Sequence, residues 1–326
     1  MNKGIPILLL TAAIWGFSLV SQQAGMARMG PWSFTAVRCM LAGLVLVLLM
    51  VPGEKKKKRE IADYSFWTDT KKTIFPSFVC FVFLELTIME QQYGLLYTGV
   101  GKGAFITAFY IFLTPLIGLF LKQRVPGKRW LSVAVAMAGL FLITASGSIT
   151  GESTGAFSEA VAGHSSQTFL GLNKGDIIMF FAAIAYALYI HAVDRYTSEE
   201  RRPKINIIKL SAIQFLMISI FSWIVAVILE PGDITWANCT GSWLAILYAG
   251  VISAGGGFTL QMVGQRFADP TTSSIILSSE TVFSMLAGWI CFHEILTWVE
   301  YLGCAIMVIA IAVAVIPGKK QKQEKV

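Results

Sequence analysis

Charged side chains are scarce in this chain of 326 residues, where Asp, Glu, Lys and Arg together make up 14% and hydrophobic residues 55%. Soluble globular domains usually carry nearer 25% charged residues. The shortage of charge, together with a mean hydropathy of +0.66, excludes an ordinary soluble domain and indicates an integral membrane protein. The net charge of +7 does not indicate nucleic-acid binding, because the basic residues form short clusters between apolar runs.

Histidine and cysteine are also few, and they are widely spaced. The three histidines lie far apart and the five cysteines form no CxxC pair, so no disulfide framework and no metal site is predicted. The segment GVGKGA at 99–104 lacks the spacing of a phosphate-binding loop. No HExxH motif of a metalloprotease occurs in the sequence. We therefore expect a protein that is not an enzyme and that uses no cofactor.

Long apolar runs dominate the rest of the chain. A bilayer core about 30 Å thick requires roughly 20 apolar residues per helix. Proline or glycine marks the ends of several runs, as in GPW, VPGE and EPGD. The sequence thus predicts an all-α, polytopic membrane protein with ten transmembrane helices. Their approximate positions are 5–24, 32–51, 74–96, 103–122, 130–147, 174–195, 206–229, 241–264, 271–292 and 298–317.

The distribution of Lys and Arg predicts the orientation of these helices. If the N-terminus is cytoplasmic, 22 of the 26 basic residues fall in cytoplasmic segments and three fall outside, while Arg38 lies within the second span. Such a bias is typical of the cytoplasmic side of membrane proteins. We therefore expect a multi-pass protein of the cytoplasmic membrane with both termini in the cytoplasm. Basic runs such as KKKKR at 55–59 are expected to anchor this topology and to contact membrane lipid.

A small, polar segment separates spans one to five from spans six to ten. A gapless shift of 170 residues superimposes the order of the spans and places Tyr110 on Glu280. Because each half would contain five spans, an odd number, the second half would enter the membrane in the opposite orientation. The expected parts are a first five-helix repeat at 1–147, an extracytoplasmic linker at 148–173, a second, inverted repeat at 174–318 and a basic cytoplasmic tail at 319–326.

Several segments resemble the helices of one family. LLLTAAIWGFSLVSQQ at 8–23, GPWSFTAVRCMLAGLVL at 30–46 and PTTSSIILSSETVFSMLAGWICFHEILT at 270–297 are similar to helices of EamA-type members of the drug/metabolite transporter superfamily. The resemblance extends in order over nearly the whole chain. It implies ten helices in two inverted repeats and the export or exchange of small metabolites such as amino acids. Many members have Glu-Pro where this chain has Glu280 followed by Thr281.

Ionisable residues inside the apolar runs are the candidate functional residues. A carboxylate at bilayer depth costs about 2.5–3.5 kcal/mol on insertion scales, and it usually faces a cavity or a partner. Glu85 lies near the centre of span three and Glu280 near the centre of span nine. Both are candidates for substrate binding and for proton coupling, by exchanging a proton with one side or by pairing with a substrate amine. Helical spacing places Gln92 on the face of Glu85, and Ser284 on the face of Glu280.

Aromatic residues complete the predicted site. Tyr110 would face Glu280 across one polar cavity, with Trp15 and Tyr186 as aromatic walls. The predicted substrate-binding residues are Trp15, Glu85, Gln92, Tyr110, Tyr186, Glu280 and Ser284. Glu90 and Gln91 are expected nearer the outer surface. Several roles stay open for Arg38. It could contact the substrate, pair with a carbonyl group or with Glu90, or snorkel to the surface.

These observations favour a secondary transporter that exports or exchanges a small organic metabolite across the membrane. One alternative is a flippase or exporter for a lipid-like substrate. Another is a membrane protein with no transport role, such as a scaffold. The expected partners are a small-molecule metabolite and membrane lipid, with no nucleic acid.

Overall fold

The fold was taken from a computed structural model that describes residues 3–60, 65–97, 105–123, 125–150, 174–198, 205–292 and 297–316. All regular secondary structure within these ranges is helical, which confirms the predicted class. The predicted linker at 148–173 lies outside them after its first three residues, because one helix continues to Thr150. The predicted tail at 319–326 lies wholly outside.

The helices are numbered in chain order. Those of the N-terminal half are α1 Gly4–Gly16, α2 Ser18–Met26, α3 Pro31–Glu60, α4 Phe66–Leu95, α5 Tyr110–Phe120 and α6 Gly127–Thr150. Those of the C-terminal half are α7 Lys174–Thr197, α8 Ile207–Leu229, α9 Trp236–Gly241, α10 Trp243–Leu247, a π-helix Tyr248–Phe258, α11 Thr259–Gln265, α12 Pro270–Leu277, α13 Glu280–Phe292 and α14 Trp298–Val315.

Six helical segments are long and apolar enough to cross a membrane, which indicates a multi-pass membrane protein. Two further apolar helices, Gly4–Gly16 and Phe105–Phe120, are shorter. The predicted number of ten helices stays a prediction. The six segments are Pro31–Glu60, Phe66–Gly94, Lys174–Thr197, Ile207–Leu229, Trp243–Gln265 and Trp298–Val315.

Three of the predicted spans are interrupted by a turn well inside their ends. Phe17 separates α1 from α2 within the first span. Phe109 breaks the helix that precedes α5, and Ser278 and Ser279 separate α12 from α13. The hydroxyls of Ser278 and Ser279 donate to backbone carbonyls three residues earlier, at 2.7 and 2.6 Å. They therefore provide hydrogen-bond donors for carbonyls beside the turn. The turn at Phe109 immediately precedes Tyr110, and the turn at Ser278 and Ser279 immediately precedes Glu280. The 170-residue shift aligns Tyr110 with Glu280.

Helix α3 extends farther than predicted. The VPGE segment was expected to end the helix near residue 51, whereas α3 continues through Pro52 to Glu60. Proline removes only one backbone donor, and the extension carries charged residues that remain exposed to water. Glu54 within it forms an ion pair with Lys209 of α8, with 3.2 Å between the charged atoms. A tertiary contact of the extension thus outweighs the local signal for a helix end.

The N-terminus of α3 is held by carboxylates that follow α8. Glu230 accepts hydrogen bonds from the backbone N–H groups of Trp32 at 3.2 Å and Ser33 at 2.7 Å. Asp233 accepts from the N–H of Gly30 at 2.8 Å. The first N–H groups of a helix lack acceptors within the helix and favour negative charge, so these carboxylates stabilise the start of α3.

The other end of α3 is joined to the start of α8 by a buried lysine. The Lys209 ammonium lies 2.8 Å from an Asp69 carboxylate oxygen of α4 and 3.2 Å from one of Glu54 of α3. It also lies 4.4 Å from the centre of the Phe66 ring. We call these four residues the lysine cluster. The cluster neutralises the lysine charge and connects α3, α4 and α8.

Candidate functional site

A cavity lies between helices from both halves of the chain. It encloses about 890 Å³, including space open to solvent, and is lined by residues of α1 to α5, α7, the π-helix and α13. Five of the seven residues predicted to bind substrate lie in its lining, whereas Glu85 and Gln92 do not. Their part in binding a substrate stays a prediction. The five are Trp15, Tyr110, Tyr186, Glu280 and Ser284.

Aromatic rings form one wall of the cavity. The Trp15 ring centre lies 4.6 Å from that of Phe258 and 6.2 Å from that of Tyr186. Tyr186 in turn lies 4.7 Å from Tyr110, in an edge-to-face arrangement. These separations are typical of favourable aromatic pairs. The wall therefore presents a continuous, largely apolar surface to a ligand.

The π-helix determines where the Trp15 indole lies. The indole N–H group of Trp15 donates to the carbonyl of Ser253 at 3.3 Å. A Cβ atom at Gly257 would lie 2.6 Å from the same indole nitrogen, so the absence of a side chain there allows the ring to approach. Segments of π-helix often occur at functional sites. Here the segment supplies Ser253, Ala254 and Phe258 to the lining.

Glu280 reaches the cavity from the first position of α13, directly after the turn at Ser278 and Ser279. One helical turn later, the Ser284 hydroxyl donates to the carbonyl of Gly16 at 3.1 Å and so joins α13 to the end of α1. The Tyr110 hydroxyl is buried and has no hydrogen-bond partner among the residues that the structure describes. The lining thus contains a carboxyl group and a phenol hydroxyl that can engage a ligand.

Glu85 and Gln92 lie outside the lining, close to Arg38. One Glu85 carboxylate oxygen accepts from the Ser222 hydroxyl at 2.9 Å. The side-chain amide of Gln92 is oriented so that its oxygen faces donors and its nitrogen faces an acceptor. In this orientation the oxygen accepts from Thr35 at 2.7 Å and from Arg38 at 2.8 Å. Both side chains are therefore engaged with neighbouring helices rather than with the cavity.

The face of α4 that lines the cavity does not include Glu85 or Gln92. The residues of α4 in the lining are Thr87, Ile88 and Gln91, whereas Glu85 and Gln92 contact α3 and α8. Helical spacing identified residues that share a face, but spacing alone does not identify which neighbour that face meets. Thr114, four residues after Tyr110 on α5, is likewise outside the lining, and its carbonyl lies 2.8 Å from a ring nitrogen of His191.

Other lining residues were missed from the sequence. Ser18 and Gln22 of α2 and Ser253 of the π-helix form a chain of side-chain hydrogen bonds, at 3.3 Å from Gln22 to Ser18 and 2.7 Å between the serine hydroxyls. The polar letters of SLVSQQ and the small residues of SAGGGF were the available signals. Within the described ranges, no group of three or more His, Cys, Asp or Glu residues could hold a metal ion.

Known proteins resemble this chain along most of its length. The model of the EamA-like transporter family matches it twice, over residues 2–145 and 173–316. An uncharacterized transporter of Archaeoglobus fulgidus is 25% identical over 307 residues, which are 94% of this chain and 83% of that protein. A solved structure, titled only "Crystal structure of protein", shares the fold with a TM-score of 0.69 and 16% identity, over 97% of each chain. Because the two family matches together span most of its residues, the chain belongs to the EamA-like transporter family.

Proposed function

We propose that this protein is a secondary transporter of the cytoplasmic membrane, which exports or exchanges a small organic metabolite through the cavity. Membership of a transporter family supports transport in general. One observation carries the proposal for this chain, namely a cavity between apolar helices whose lining combines Glu280, Arg38 and an aromatic wall. Ionisable groups at bilayer depth are costly and are usually retained for a substrate or an ion.

The proposed architecture is ten helices in two inverted repeats, with both termini in the cytoplasm. Three observations support it. The family model matches once in each half, the interruptions before Tyr110 and Glu280 fall at aligned positions, and Lys and Arg alternate between few and many in successive loops. In such an architecture the substrate binds near the midplane, between the repeats. The cavity, lined from both halves, fits this arrangement.

Of the two predicted proton-coupling residues, the geometry favours Glu280. Glu280 lies in the lining, where water and a ligand have access. Glu85 is 5% exposed, lies outside the lining and bonds Ser222. We therefore expect Glu280 to exchange a proton with one side of the membrane or to pair with a cationic group of the substrate. Glu85 has a supporting role in this proposal.

Transport by the purified protein in liposomes tests the function. Amino acids, amines, sugars, nucleosides and lipid-like compounds are supplied, and their uptake is measured with and without a pH gradient. We expect saturable transport of at least one organic metabolite, lost or uncoupled from the pH gradient in Glu280→Gln and retained in Glu85→Gln. Glu60→Gln, at an exposed residue of α3, is the control and should behave as wild type.

Other outcomes contradict the proposal in different ways. Flux that does not saturate would indicate a channel. Movement of only lipid-like compounds would favour the flippase alternative. A folded protein that moves none of the compounds would contradict a transport function of this kind.

A further inference from the structure

A buried arginine in the cavity wall has an incomplete set of hydrogen bonds. Arg38 is 4% exposed, and it lies in the lining. A guanidinium group carries five N–H donors. One terminal nitrogen of Arg38 donates to the Gln92 amide oxygen at 2.8 Å, whereas the Nε atom has no partner among the residues described. Buried polar atoms without a protein partner call for an explanation, and a functional role is one such explanation.

No ion pair neutralises Arg38 in the described parts of the chain. Glu85 is close enough to interact electrostatically, but it directs one oxygen to Ser222 and does not approach Arg38 within ion-pair distance. Glu90, the partner suggested from the sequence, has a buried oxygen that makes no hydrogen bond to any described residue. A buried cation without a counter-ion is unfavourable, so binding of an anion there would be favourable.

A purely structural role explains Arg38 less well. Its contact with Gln92 would help to hold α3 against α4. The Phe34 ring, whose centre lies 5.2 Å from the guanidinium carbon, belongs to α3 itself. A structural cation is expected to have its donors satisfied by the protein, as the lysine cluster illustrates for Lys209. Arg38 instead reaches the cavity with a donor unpaired.

We propose that Arg38 binds an anionic group of the transported molecule, either a carboxylate or a phosphate. The planar fork of an arginine matches two oxygens of either group. Gln92 is then a positioning residue, which accepts from the guanidinium without lining the cavity, and Thr35 supports Gln92 by a hydrogen bond of 2.7 Å. Glu280, the other charged residue of the lining, is available for a cationic group. This inference rests on the proposed function, because it concerns the ligand of the same cavity.

Matched ligands test the inference on the wild-type protein. Each set holds an amino acid, its decarboxylated amine, its carboxamide and its 2-hydroxy acid, and further sets hold a phosphorylated metabolite, its dephosphorylated form and inorganic phosphate. Binding is measured from thermal stabilisation in detergent, since a ligand of the folded state raises its stability. We expect the amine and carboxamide, or the dephosphorylated form, to bind about ten- to a hundredfold more weakly than the anionic member.

The pattern of binding also separates the possible failures. If the sets that bind are the carboxylate sets, the ligand group is a carboxylate, and if they are the phosphate sets, it is a phosphate. A carboxamide or amine that binds as tightly as its carboxylate, and is transported, would overturn the anion site while the proposed function stands. If no member of any set binds or is transported, both the anion site and the proposed function are overturned.

Variants of Arg38 test which residue is responsible. Arg38→Gln is expected to abolish the preference for the carboxylate over its carboxamide, and Arg38→Lys to retain part of it, because lysine keeps the charge but not the planar fork. Arg59→Gln, the same change at an exposed arginine of α3, is the matched control, and it should keep the preference. If Arg38→Gln does not fold, Thr35→Val serves instead, and it should weaken the preference. A folded Arg38→Gln protein that discriminates as wild type does would overturn the assignment.

Discussion

Lys209 and Arg38 are both buried cations on adjacent helices, and they differ in how completely their surroundings satisfy them. Lys209 is 1% exposed and lies between the carboxylates of Glu54 and Asp69. Arg38 is 4% exposed, contacts the neutral Gln92 amide and keeps an unpaired Nε atom at a cavity. The first arrangement is closed and joins three helices. The second is open toward a space that a ligand can enter, which distinguishes a binding group from a structural one.

Removing the charge of Lys209 is expected to have the largest effect on the free energy of unfolding. Lys209→Met removes the buried cation of the cluster and leaves Glu54 and Asp69 with Lys57, which lies 3.9 and 3.4 Å from their carboxylates and is 32% exposed. Because the buried partner is lost, we expect a cost of about 3 kcal/mol of unfolding free energy. The free energy of unfolding in detergent, measured with denaturant, checks this value. Lys56→Met, at a lysine whose side chain is 74% exposed, should change it little. An unchanged stability in Lys209→Met would show that the lysine cluster does not hold the helices together.

Two adjacent glutamines of α4 sharpen the comparison, and the expected effect of replacing them is intermediate. Gln92 lies outside the cavity lining and accepts a hydrogen bond from Arg38, whereas Gln91 lies in the lining. Gln92→Leu removes an acceptor of Arg38 and should weaken binding of anionic ligands about tenfold, with little effect on ligands that lack the anionic group. Gln91→Leu changes the lining itself and should affect both kinds of ligand alike. Equal losses for both kinds in Gln92→Leu would argue against its role in positioning Arg38.

A partly exposed ion pair should give the smallest effect. Arg129 of α6 lies 2.9 Å from Asp269, before α12, and their side chains are 31% and 36% exposed. Arg129→Gln is expected to lower the unfolding free energy by less than about 1 kcal/mol, because water and salt screen such pairs. Unfolding at low and high salt measures this, and the difference from wild type should shrink as salt increases. A loss as large as that of Lys209→Met would mean that burial does not separate the two ion pairs.

Much of the fold followed from composition and hydropathy. Apolar runs identified helices such as α7 and α8, because a membrane helix has to satisfy its own backbone and cover itself with apolar side chains. Boundaries were less predictable. The end of α3 depends on Glu54 meeting Lys209, which lies more than a hundred residues away in the chain and sends no local signal.

The site was predictable where a residue combines an unusual chemistry with a central position. Glu280 and Trp15 are such residues, and both line the cavity. Glu85 is equally unusual, yet its helix face meets Ser222. Ser253 carries no unusual chemistry and enters the lining because the π-helix turns it there. Which neighbour a face meets, and where a helix widens, arise from packing rather than from residue type.

The carboxylates that bind the start of α3 have a consequence for movement. Glu230 fastens α8 to α3 at one end and Lys209 does so at the other, so the two helices resist sliding along each other. A carrier nevertheless has to open its cavity to each side in turn. We expect α3 and α8 to stay fixed relative to each other. The helices that are interrupted immediately before Tyr110 and Glu280 are expected to move relative to this pair.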